Sequence, residues 1–90
     1  MKKVIITVIG KDRTGIIYNV SKVLAECEVN ILDISQTIMS EIFTMVMIAD
    51  INCAKESFDI ISEKLDKAGE ELGVKITVCH EDIFNAMHRI

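Results

Sequence analysis

Apolar residues recur along this chain at two periods, and the changes of period mark out its elements. Residues 3 to 9 are rich in Val, Ile and Thr and run to Gly10, which predicts a first strand. Val4, Ile6 and Val8 fall on one face and Ile5 and Ile9 on the other, so both faces are apolar, as in a central strand. The pattern then turns helical. Ile16, Val20, Val23, Leu24 and Cys27 predict a helix over about 15–27, with Thr14 or Asp12 available as its N-cap. Asn30 to Met39 alternates again, Leu32, Ile34 and Ile38 against Asp33, Ser35 and Thr37, which predicts a half-buried edge strand. Ser40-Glu41 reads as a short turn without the residues of a strong hairpin. Ile42 to Ile51 follows as a strand apolar on both faces, with Phe43, Met45, Met47 and Ala49 on one and Ile42, Val46 and Ile48 on the other. Phe58, Ile61, Leu65, Ala68 and Leu72 make a helical stripe over about 54–72, with Asn52 as its expected cap and Gly73 as its stop. Val74 to His80 is a fourth strand, and residues 81 to 90 carry Ile83, Phe84 and Met87 as a short terminal helix.

The order is strand, helix, strand, strand, helix, strand. Right-handed crossovers and two doubly apolar strands predict an α+β fold, the ferredoxin-like βαββαβ two-layer sandwich. Its sheet is antiparallel, with strands one and three inside and a short C-terminal helix at the end. No linker or low-complexity segment divides the chain, so residues 1–90 are expected to form a single domain. The 16 Ile and 8 Val sharpen this reading, because helices on one side of a sheet cannot cover both apolar faces of its central strands. The surplus predicts a subunit interface.

Charge and composition exclude several classes. A formal charge of −4 with only ten Lys and Arg is unsuited to phosphate-backbone binding, and a chain with 4% aromatic residues makes a poor base-stacking platform. No nucleic-acid partner is expected. No apolar run approaches the roughly 20 residues of a membrane span. The N-terminal apolar stretch runs into Gly10-Lys11-Asp12-Arg13 instead of the small residues of an export signal, so no membrane association is expected either. Three cysteines, Cys27, Cys53 and Cys79, read as reduced thiols of a cytoplasmic protein. With His80 and His88 they lack metal-ligand spacing, and Cys79 and His80 point to opposite strand faces, so neither metal nor cofactor is expected.

The candidate chemistry lies between the first strand and the first helix, in Gly10-Lys11-Asp12-Arg13-Thr14-Gly15-Ile16. Free N–H groups at a helix start favour an anion. Asp12 suits an ammonium group and Arg13 a carboxylate, so together they match the zwitterion of an amino acid. Asp12 and Thr14 equally suit plain capping, with Arg13 solvated. Asn30, whose amide both donates and accepts, suits either a ligand or the turn before its strand.

These residues carry a resemblance. Lys11-Asp12-Arg13-Thr14-Gly15-Ile16 after a strand, then an amphipathic helix, then Val29-Asn30-Ile31 with Asp33-Ile34, resembles an ACT domain. The Asp-Arg-Thr-Gly-Ile form is similar to ACT domains of the glycine-cleavage-repressor and formyltetrahydrofolate-deformylase type. Asp33-Ile34-Ser35-Gln36-Thr37, Phe43-Thr44-Met45 and Ile83-Phe84-Asn85-Ala86-Met87 look like a small stand-alone ACT family of bacteria and archaea. The resemblance implies regulatory binding of a small molecule, usually an amino acid, at a subunit interface of a homodimer or higher oligomer. It places the ligand-binding residues at Gly10, Asp12, Arg13, Thr14, Gly15, Ile16, Asn30 and Ile31, with no catalytic residue. Two alternatives stand beside it: a small acyl-phosphate hydrolase using the same loop with Arg13 on the phosphate, and a protein-interaction module without a ligand.

Overall fold

The computed structural model describes residues 2–82. Six elements follow in the order expected: β1 (Lys3–Lys11), α1 (Ile16–Glu26), β2 (Asn30–Met39), β3 (Ile42–Asp50), α2 (Phe58–Leu72) and β4 (Val74–His80). One antiparallel sheet holds the strands in the order β2-β3-β1-β4, so β1 and β3 are central as their doubly apolar patterns require. This is the ferredoxin-like sandwich. The expected terminal helix over 81 to 90, with Ile83, Phe84 and Met87, lies almost wholly outside the described residues.

The core sits between one sheet face and the two helices. Val4, Ile6 and Val8 of β1 meet Phe43, Met45, Met47 and Ala49 of β3, closed over by Ile16, Val20 and Leu24 of α1 and Ile61 and Leu65 of α2. The opposite face carries no helix among the described residues. There Ile5 is 5% exposed but Ile9 is 47% exposed, and Ile42 is likewise open, so part of the second apolar face of β1 and β3 is uncovered, as expected with helices on one side only.

β2 departs further from expectation. It is exposed along nearly its whole length, because both helices lie over the other three strands. A register shift between Ile31 and Asp33 makes Leu32 an extra residue in the strand. The shift sets Ile31 opposite Ala49 and Ile34 opposite Met47, so these two share the helix side of the sheet although three positions separate them. Period-two alternation from Leu32 therefore misassigns the first part of the strand.

Two boundaries also move, and the hairpin turn is tighter than its residues suggest. β1 continues through Gly10 to Lys11, because the pairing with β3 runs on to Lys11 opposite Ile42. Helix α2 starts at Phe58 with Ser57 in the cap position, and Asn52 is no cap: its N–H donates to Asp50 Oδ1 at 2.8 Å in a short turn after β3. The Ser40-Glu41 turn holds both residues in the left-handed region, at φ 50° and 70°. That backbone is the favoured two-residue hairpin geometry, formed here without the Asn-Gly that accommodates it at least cost.

Candidate functional site

The first loop shortens to Asp12–Gly15, and its residues have distinct partners. Gly15 occupies the N-cap position of α1 at φ 90°, a conformation that excludes most side chains. No side chain caps the helix, so the expected caps Asp12 and Thr14 are both corrected. Their carboxylate and hydroxyl remain exposed, and among the described residues no side chain accepts from the first N–H groups of α1. Asn19 folds back one turn and donates from Nδ2 to the Gly15 carbonyl at 2.7 Å, which braces the glycine.

Two further bonds hold the loop. The Asp12 N–H donates to the Glu41 carbonyl at 2.8 Å, tying the loop to the β2–β3 turn. Arg13 donates from Nη1 to the Leu72 carbonyl at 2.9 Å, so it meets the carbonyl end of α2 and is not simply solvated. That geometry weighs against a phosphate-holding Arg13, which the acyl-phosphate alternative requires. The inward residues of β3, from Phe43 to Ala49, are apolar as well, and no buried polar side chain occurs among the described residues. A shallow cleft of about 350 Å³ opens beside the loop, lined by Lys11, Asp12, Arg13, Leu72 and Gly73.

Three of the eight candidate positions serve packing. Gly10 lies within β1, opposite Val74 of β4, and a Cβ there would come within 2.6 Å of Val74 Cγ1 and 2.9 Å of its Cα. Close packing against β4 demands this glycine. Ile16 is a core residue at 2% exposure. Ile31 is half-buried and packs against the core's margin.

Asn30 is exposed, and one chain does not bring it to the loop. It pairs with Asp50, which pairs with Lys3, so it stands at the start of β1 while Asp12 follows the end. A nine-residue strand separates them, about 26 Å at roughly 3.3 Å per residue. The contribution of Leu72 and Gly73 to the cleft had no sequence signal near the loop, since they lie some sixty positions away in the chain. The only local hint was the glycine stop of α2.

A charged loop feeding a glycine-started helix, on a sheet ordered β2-β3-β1-β4 with both helices on one side, defines an ACT-type module. The family model for the ACT domain matches residues 2–79. The chain belongs to the ACT domain family. It is 59% identical over 90 residues to a UPF0237 protein of Methanocaldococcus jannaschii, covering 100% of both chains. Among solved structures it is similar to an ACT domain protein from Streptococcus pneumoniae, with 41% identity, a TM-score of 0.80, and coverage of 97% of this chain and 98% of that one. The ligand-free regulatory subunit of aspartate kinase from Thermus thermophilus shares the fold, with a TM-score of 0.67 at 22% identity over 87% of this chain and 50% of that one.

Proposed function

We propose that this chain is a regulatory module that binds an amino acid in a site completed by a second copy. The observation that carries the reading is the separation of the two polar halves. Asp12–Ile16 and Asn30–Ile31 stand at opposite ends of one sheet, and neither encloses a ligand alone. Antiparallel pairing of β2 with its copy on a two-fold axis would set the Asn30 end of one strand against the Met39 end of the other. Because Asp12 is tied to the β2–β3 turn, that pairing also sets the loop beside Asn30 of the partner subunit.

β2 is suited to such pairing. Its ten residues hold no Lys or Pro, and among the described residues its outer side faces no strand of its own sheet. Ile38 and Met39 are 57% and 69% exposed, and Leu32 and Ile34 are also open. Long apolar edges left bare in this way template pairing with another chain. In the shared site the ligand carboxylate would meet the first N–H groups of α1, and its ammonium the Asp12 carboxylate. Binding at such a junction favours one subunit arrangement over others, which is how a module without catalytic groups regulates. The regulatory subunit of aspartate kinase supports the reading at the level of fold alone. Three unpaired cysteines suit a reducing compartment such as the cytoplasm, and no helix among the described residues is long and apolar enough to cross a membrane.

Calorimetric titration with each of the twenty amino acids tests the ligand. At least one should bind, and Asn30→Ala should weaken it about tenfold with the fold unchanged. Flat heats throughout would overturn the amino-acid reading. For the shared edge, light scattering on Ile38→Lys should show a monomer where the parent chain is a dimer. A parent chain that scatters as a 10.1 kDa monomer at high concentration would contradict the shared site.

A further inference from the structure

Neighbouring residues of the first loop grip opposite edges of the sheet. The Asp12 N–H holds the Glu41 carbonyl in the β2–β3 turn at 2.8 Å. The Arg13 guanidinium holds the Leu72 carbonyl at 2.9 Å, across 59 positions of sequence, where α2 hands over to β4. That helix has no basic residue in its last turn. Arg13 therefore supplies from outside the positive charge that the carbonyl end of a helix attracts. The Gly73 N–H closes the same turn on the Gly69 carbonyl. Beneath the bond, Gly10 lies against Val74 with no room for even a methyl group, so the root of the loop and the first residue of β4 have no slack between them.

We propose that Arg13 joins the loop and the α2–β4 corner into one cooperative unit, so that displacement at the β2–β3 turn is transmitted to the start of β4. Arg13 acts here as a positioning residue: it works through the corner and needs no contact with a ligand. The coupling goes beyond the ligand reading and does not depend on it, since both bonds exist in the free chain. Its consequence is directional. β2 and β4 are the two edges of the sheet and do not touch, and Asp12-Arg13 bridges them. Docking of another chain on one edge is thereby felt at the other.

Amide hydrogen exchange on the full chain tests this, with the Asp12 and Gly73 N–H groups as the two reporters. In the parent chain both should open with the same free energy and the same dependence on low urea concentrations, as members of one local unfolding unit do. Arg13→Gln should accelerate both by a common factor of about tenfold, the loss expected for a hydrogen bond from a charged donor. Arg13→Lys still places a positive charge at the helix end and should recover most of the protection. A residue that merely propped the loop would change Asp12 alone. Different urea dependences for the two amides in the parent chain would overturn the proposal, and so would acceleration at only one of them in Arg13→Gln. The parent-chain measurement decides the matter even if the glutamine variant does not fold.

Discussion

The two edge strands of the sheet are both apolar, yet they have opposite fates. β4 is covered by α2: Val74 and Ile76 are buried, and Val78 packs at the core's margin. β2 carries Ile31, Leu32, Ile34, Ile38 and Met39, but no helix among the described residues reaches over its length, and only Ile31 is even half-buried. An apolar alternation thus marks a surface that some partner must cover, without saying whether the partner is in the same chain. For β4 the partner is α2. For β2 the proposed partner is a second subunit.

Substitutions can sharpen or break that contrast. The largest effect belongs to matched truncations on the two edges. Ile76→Ala should cost about 3 kcal/mol of unfolding free energy, since it removes a buried side chain beneath α2. Ile38→Ala should cost the isolated monomer about 0.5 kcal/mol or less. Denaturant unfolding of both variants at low protein concentration checks this, and equal losses would erase the distinction between the edges. Next comes Gly10→Ala. Its Cβ would press on the Val74 backbone, and overpacking of this kind should cost about 2 kcal/mol. A neutral result would show that β4 yields more easily than its covered side implies.

A smaller gain is expected on the open edge. Replacing Ser40-Glu41 by Asn-Gly keeps the left-handed turn with residues that adopt it more readily. The melting midpoint should rise by an amount equivalent to about 1 kcal/mol. The smallest effect is chemical. Cys27 is buried under the helices, and that burial pushes its thiol pKa up, with Lys64 opposing in part. A native pKa above the unfolded one means that the unfolded chain loses its proton first. Stability is then complete below the ordinary thiol pKa of about 8.5 and falls as pH rises beyond it. Unfolding measured from pH 7 to 10 should show this decline, and Cys27→Ala should flatten it from a lower starting value.

Much of the fold was legible in the sequence because the switch from period two to helical spacing is a local property. β2 and β4 have the boundaries that alternation predicted, and the double apolar faces of β1 and β3 pointed to their central places. The caps were less legible. Asp12, Thr14 and Asn52 all have capping chemistry, but Gly15 in a left-handed conformation and Ser57 occupy the positions. Choosing among neighbouring polar residues depends on where the preceding strand lets go, and sheet pairing decides that. For the candidate site, the loop's charges could be read directly, while the exposure of Asp12, Thr14 and Asn30 emerged only in the folded chain. So did the packing duties of Gly10 and Ile16.

The sequence by itself determined the elements, their order, the fold class and the loop that carries the charge. Each of these follows from residues close together in the chain, where periodicity and turn chemistry act. Tertiary structure alone decided that the bulge at Leu32 turns Ile31 and Ile34 to one side, that the helices leave β2 bare, and that Gly10 meets Val74. It also decided that the Arg13 guanidinium answers a carbonyl 59 positions away. A long, flexible cation can satisfy any acceptor within its reach, and only the folded chain shows which one stands there.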